Sequence, residues 1–343
     1  MIKRIIKYIV LIVLTYLMFC LLTPFNKHLR NRSIKNQISY IDEIMRKGFD
    51  NKLQNRFPEG KLFSNAIFSL SIIEFCDANN LVEKEYSNII DQNIHRILSK
   101  DALASFNSSM KPKYGMFYNG WFQYVLKEYQ RSELFELSRI QNKINSESLI
   151  IEKRLLETQQ EGPRILDSYS GGNWPADNLI GLTTLSDVEV QKNWLEQIFT
   201  TAEHESGLIH HEGSQPLVIR GSSQALITFC LNEMEYNHIE EYNNDFKKIF
   251  IDDYCGVQLV KENEDGSDNM DVDSGPVVFG YGASATIMNI KTQASMKDSN
   301  SKRTWAVMNT ISIPINIFGS KYYLFKKEPM FDIFMLWGCV ELS

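Results

Sequence analysis

Asp177 and Asp273 are the residues of this chain best placed for proton-transfer chemistry. Each stands close to a proline and ahead of an apolar run, in Asn173-Trp174-Pro175-Ala176-Asp177-Asn178 and in Asp271-Val272-Asp273-Ser274-Gly275-Pro276. Proline suits the first turn of a helix, and an Asp or Ser just before it accepts hydrogen bonds from free backbone amides, so a cap is the simplest role. The other role is chemical. Two carboxyls about 6.5–9.5 Å apart, one protonated and one ionised, let an inverting glycosidase activate a water between them. Asp177 and Asp273 form that candidate pair. Asp271, two residues from Asp273, would share its side of an extended segment.

Further polar and aromatic groups gather at comparable positions. Tyr118-Asn119-Gly120-Trp121 and Arg220-Gly221-Ser222-Ser223 also precede apolar runs. Tyr118, Trp121, Trp174 and Tyr281 would line a wall on which a sugar ring stacks. Asn119, Asn178, Glu212, Arg220 and Asp271 would supply polar contacts. His204, His210 and His211, with Glu203, Glu205 and Glu212, form the densest histidine cluster. Adjacent histidines diverge on most backbones and no H-E-x-x-H is present, so a cleft-lining side chain or an exposed loop is expected before a metal site. Asp265, Asp268, Asp271 and Asp273 lack the spacing of an EF-hand loop and read as a solvated acidic loop. Ser222, Ser223, Ser274 and Ser284 lie in no G-x-S-x-G. No Walker loop or GxGxxG occurs, and no cofactor or metal is expected.

Helices must hold these groups. Apolar segments alternate with amphipathic, charged ones: 62–78 then 82–98, 117–129 then 133–159, and 174–185 then 188–204. The pattern goes on with 221–234 then 239–251, 276–290 then 302–315, and a final apolar run at 330–340. Starts of the later apolar segments lie roughly 45–56 residues apart, a helical-hairpin repeat length. An amphipathic helix over 34–47 adds one more polar partner. Six inner helices ringed by six outer ones make an all-α (α/α)6 toroid, with an irregular α-helical domain or an open solenoid as the alternative. Only 256–260 and 322–325 read as extended. If the apolar helices form the inner ring, the four polar motifs converge on one lip of the toroid.

The segments around Trp174-Pro175, Arg220-Gly221-Ser222-Ser223 and Asp273-Ser274-Gly275-Pro276, with Gly280-Tyr281-Gly282-Ala283-Ser284-Ala285-Thr286, resemble those of bacterial membrane-associated α/α-toroid proteins. In outline these are similar to the six-hairpin glycosidases and, more remotely, to the linalool dehydratase-isomerase domain. The resemblance covers about residues 110–290. It implies the toroid, and a glycoside hydrolase-like activity on a glycan. A non-catalytic glycan- or partner-binding envelope protein is the second expectation, and a hydratase or isomerase acting on an apolar alcohol the third.

Composition narrows the classes. The chain has 343 residues, 43% apolar and 12% aromatic, with net charge −6. Without clustered Lys and Arg in the body, no nucleic-acid partner is expected. Cys20, Cys76, Cys230, Cys255 and Cys339 form no C-x-x-C and read as free thiols. Residues 8–25 are uncharged, follow Lys3, Arg4 and Lys7, and just reach the length that crosses a bilayer. Bulky residues stand where signal peptidase needs small ones, so an uncleaved anchor is expected. A short basic N-terminus held inside would export the body. The expected organisation is a membrane anchor over 1–25, a linker and first outer helix over 26–60, and an extracytoplasmic toroid domain over 61–343.

Overall fold

The computed structural model describes residues 2–161, 165–213, 217–270, 274–324 and 329–342. These residues are mostly helical. The first helices are α1 (Ile2–Leu22), α2 (Lys27–Arg46), α3 (Phe49–Gln54), α4 (Gly60–Asn79), α5 (Lys84–Ile97) and α6 (Lys100–Ala104). Then come α7 (Gly115–Arg131), α8 (Gln141–Glu161), α9 (Pro175–Thr183), α10 (Val188–Ala202), α11 (Gly221–Glu233) and α12 (Ile239–Phe250). A hairpin of β1 (Ile251–Tyr254) and β2 (Val257–Val260) follows, then a short one of β3 (Val277–Val278) and β4 (Tyr281–Gly282). The chain continues through α13 (Ala283–Ser295), α14 (Asn300–Ile311), β5 (Pro314–Ile317), β6 (Ser320–Tyr323) and α15 (Pro329–Val340).

Beyond Lys3, Arg4 and Lys7 at its start, α1 carries no charge, and most of its exposed surface is apolar. Among the described residues it alone is long and apolar enough to cross a membrane, judged by length and composition.

Helices alternate in how they bury themselves, as the sequence pattern requires. α4 is enclosed on nearly every side, so its polar residues turn back on their own helix. Ser64, Ser69 and Ser71 hydroxyls each donate to the carbonyl four residues earlier, at 2.7–2.8 Å. That satisfies buried hydroxyls without a partner from elsewhere. α5 instead buries one stripe, Ile89, Ile90, Ile94 and Ile97. α4 packs on α7, α7 on α9, α9 on α11, α11 on α13, α13 on α15, and α15 on α4. Each of these has a more polar partner: α5 for α4, α8 for α7, α10 for α9, α12 for α11, α14 for α13 and α2 for α15. Glycine permits the close approach of α7 to α9. A Cβ at Gly120 would stand 2.9 Å from Asp177 O, and one at Gly181 would stand 2.0 Å from Met116 Cε.

The structure departs from the sequence reading where short hairpins replace helix ends. α13 begins at Ala283, not at Pro276, because Val277 and Val278 pair antiparallel with Gly282 and Tyr281. The intervening turn holds Phe279 and Gly280 both at positive φ (52° and 80°), the two-residue geometry that matches strand twist. β1 and β5 overlap the helices expected over 239–251 and 302–315 only at Ile251 and at Pro314 and Ile315. Their β-branched residues leave the helix to pair with the extended segments already legible at β2 and β6. Cys20, Cys76, Cys230 and Cys339 are buried free thiols, and Cys255 is an exposed one.

Charges gather at the C-terminal ends of the apolar helices. Lys291 of α13 is buried, 2.7 Å from Glu74 Oε2 of α4, and it also donates to Glu341 just after α15. Its ammonium lies 5.1 Å from the ring centres of both Phe229 and Trp337. Trp337 Nε1 donates to Glu74 Oε1 at 3.2 Å. Burial pushes the Glu74 carboxyl up to about 8 despite the pull of Lys291, and burial likewise raises Glu128 and Glu233. The folded state therefore holds these protons more tightly than the unfolded chain. The resulting stability is complete below the ordinary carboxyl value of about 4.3 and is lost as pH rises through about 8. The denaturant midpoint is expected to fall between about pH 5 and about pH 9. A midpoint that stays flat across that window would mean these carboxyls are solvated, and one that climbs would mean that Lys291 holds them ionised.

Candidate functional site

The N-terminal ends of α7, α9, α11, α13 and α15, with the residues leading into α4, surround a cavity of about 740 Å³. That is within the usual size of a small-molecule site. Its wall is mainly aromatic and aliphatic. Phe63 sits at the hub, with ring centres 4.9 Å from Trp121, 5.5 Å from Phe117 and 5.7 Å from Phe334, all edge-on. Trp337, 6.1 Å from Trp121, lies between this cavity and the Lys291 charge cluster. Ile287, Met288 and Met330 complete the apolar side.

Polar groups enter from the opposite helix mouths. Asp177 is carried in the first turn of α9, which Pro175 opens, and lines the cavity. His211, Ser222, Ser223 and Ser284 line it too. His211 Nδ1 is 2.6 Å from Ser223 Oγ, and Arg220 Nη1 is 3.4 Å from His211 Nε2. Behind them, Glu262 is buried. Its Oε1 accepts from the Ser222 hydroxyl at 2.7 Å and lies 3.1 Å from Arg220 Nε. The backbone locks this arrangement: Gly221 N donates to Glu262 O at 2.9 Å, and Glu262 N donates to Gly280 O at 2.9 Å. A Cβ at Gly221 would stand 1.9 Å from Lys261 O, which is why glycine opens α11.

The residues picked from sequence divide clearly by place. Trp121, Trp174 and Asp177 line one cavity, together with Gly275 and Pro276, so the Trp-Pro and Ser-Gly-Pro segments border the same space. Asn119 is spent on structure. It donates to Lys113 O at 2.8 Å and Gly115 O at 2.6 Å, and accepts from Arg154 Nη1 at 2.8 Å. Asn178 clamps the chain before α9 through Leu166 N at 2.9 Å and Leu166 O at 3.0 Å. Tyr118 packs between Phe106 and Phe122 away from the cavity wall. Tyr281 faces the β1–β2 hairpin, donating to Asp252 Oδ2 at 2.8 Å. Arg220 stands behind His211, and part-buried Glu212 does not line the cavity. Asp271 and Asp273 lie outside the described residues, so Asp177 is the described member of the expected carboxyl pair.

Sequence reasoning passed over three parts of this site. His211 stood within the noted histidine cluster, but its pairing with Ser223 depends on the return of the chain to α11. Phe63, Phe334 and Trp337 belong to helices that are apolar on most faces, where periodicity marks no inward side. Glu262 sits in a run of polar residues that looks solvated until its burial is seen. His210, next in the chain to His211, points elsewhere: it packs 5.2 Å from the His204 ring, and burial lowers its pKa. No group of three His, Cys, Asp or Glu side chains among the described residues is arranged to hold a metal. A carboxyl and an imidazole on an apolar wall can give and take protons, and the low local dielectric strengthens whatever they contact. No protein-family model matches the chain, and no curated protein matches it in sequence.

Proposed function

We propose that this chain is a membrane-anchored enzyme whose α2 and α4–α15 helices form an (α/α)6 toroid, acting by acid–base chemistry on a small, mainly apolar alcohol or alkene. The order of helix contacts, returning from α15 to α4 with a polar partner outside each apolar helix, supports the toroid. The apolar character of the 740 Å³ cavity carries the substrate reading. A glycan brings hydroxyls that each need a partner when desolvated, and most of the described lining residues are apolar, with polar side chains only at Glu59, Tyr169, Asp177, His211 and three serines besides the indoles. A hydrocarbon chain with one hydroxyl matches the wall far better. Asp177 is the proposed acid, protonating a departing hydroxyl, and His211, steadied by Ser223 and Arg220, the base that takes a carbon-bound proton. Loss of water leaves an alkene, and the reverse adds it. α1 would span the membrane and hold the body outside the cytoplasm, since Lys3, Arg4 and Lys7 favour an inside N-terminus.

The test is the full chain in lipid nanodiscs, titrated with a terpene alcohol and separately with a linear oligosaccharide. The alcohol is expected to quench the fluorescence of the cavity tryptophans saturably and to be converted to alkene. Asp177→Asn is expected to keep the quench and lose at least about 100-fold in turnover, the usual scale for removing a positioned acid. Quenching by the oligosaccharide alone would return the site to glycan chemistry. Full turnover by Asp177→Asn would end its role.

A further inference from the structure

α1 leaves the body at a defined level and in a defined direction. Asn309 Nδ2, near the end of α14, donates to Cys20 O at 3.3 Å, and the Tyr16 hydroxyl donates to Pro314 O at the start of β5. Numbers fall along α1 as they rise along α14, so the two run antiparallel. The N-terminal part of α1 therefore continues past the C-terminal end of α14. That is also the end where α15 begins, and Met330, Phe331 and Phe334 of α15 line the cavity. α1 projects from the side of the body that carries the cavity mouth.

Length then constrains depth. Residues 3–15 are exposed, and contact with the body starts at Tyr16. The stretch from Ile2 to Thr15 rises only ~21 Å at ~1.5 Å per residue, against ~30 Å of hydrocarbon. The whole of α1, 21 residues, supplies ~32 Å. If α1 crosses the bilayer, Tyr16–Leu22 must complete the crossing, and what packs beside them lies in lipid.

That flank is built for it. Ile311, Ile313, Ile317, Phe318 and Leu324 are all exposed, Phe318 completely. The only charged residue of β5–β6, Lys321, is turned inward and 2% exposed, its ammonium 5.1 Å from the Trp305 ring centre and 4.8 Å from that of Tyr323. The hairpin thus shows no charge outward. Its turn holds Phe318 and Gly319 at φ 51° and 79°, a geometry that Asn-Gly adopts readily and that costs a phenylalanine about 1–2 kcal/mol. A phenyl ring held there in water gains nothing. In hydrocarbon its burial offsets the strain.

We propose that the β5–β6 hairpin and the end of α14 are immersed in the phospholipid bilayer beside α1, which sets the mouth of the cavity against the membrane. This rests on α1 as a membrane span, and the experiment separates the two. Single cysteines are placed by Phe318→Cys, Val10→Cys and Leu149→Cys in a Cys255→Ser background. Each is labelled with an environment-sensitive fluorophore and reconstituted in phosphatidylcholine vesicles carrying doxyl-labelled lipid. The probes at 318 and 10 are expected to lose at least half their emission to the doxyl groups. The probe at 149, exposed on α8, is expected to lose almost none. Quenching at 10 without quenching at 318 overturns the immersed flank and leaves the span standing. No quenching at 10 overturns both. Shielding of 318 from aqueous iodide without lipid quenching would mean that a protein covers the hairpin, and would also overturn the proposal.

Discussion

Replacing Lys291 with Met is expected to cost about 3–5 kcal/mol of stability at about pH 9, where Glu74 has given up its proton, the scale for removing one partner of a buried charge pair. The ammonium is the counter-charge for Glu74 and Glu341, and it lies within the field of Glu128 and Glu233. Methionine keeps the length and the contact with Phe229 and Trp337, so packing loss stays small and the electrostatic loss dominates. The loss is expected to shrink at about pH 5, where the raised carboxyls take up protons and no longer need the cation. Equal losses at acidic and alkaline pH would show that packing, not charge, is at stake. Adding Glu74→Gln to Lys291→Met is expected to recover a good part of the stability, since removing both partners leaves less charge stranded. Denaturant titration at the two pH values measures all three variants.

That cluster also shows how far the sequence could be read. Glu74, Glu128, Glu233 and Lys291 lie on four different helices, and nothing local tells that they meet; only the order of helix packing brings them together. The alternation of apolar and amphipathic helices was legible because burial on all faces and burial on one stripe leave different patterns, as α4 and α5 show. Hairpins at helix ends were hidden. Ile251–Tyr254 and Pro314–Ile317 lie mostly beyond the helices expected over 239–251 and 302–315, and of each hairpin only the partner strand, β2 or β6, reads as extended. For the cavity, Trp174, Asp177 and Trp121 could be found because each stands at a helix mouth marked by Pro or Gly. Asn119 and Asn178 carry the same signal for a different reason: they tie loops to helices. Position at a mouth marks importance and does not say whether a ligand or the backbone is served.

Glu262→Gln is expected to destabilise the fold by about 3 kcal/mol and to weaken binding of the apolar alcohol at the same time. Glutamine preserves shape and still accepts from Ser222, so the substitution removes little besides the charge opposite Arg220. Arg220 is mostly buried, its side chain 12% exposed, and its guanidinium cannot shed its proton. Without the Glu262 charge it is held less firmly and is expected to shift toward water or toward another carboxylate. Either movement releases Nη1 from His211 and loosens the imidazole that meets Ser223. The two effects should part on further substitution. Arg220→Gln with Glu262→Gln removes both charges, so stability is expected to return toward that of the parent while alcohol binding stays weak, because the guanidinium contact with His211 is gone. Restored binding in the double variant would show that Arg220 serves the fold alone. A change below about 0.5 kcal/mol in Glu262→Gln would place this pair among solvated ones, and the site would lose its rigid back wall.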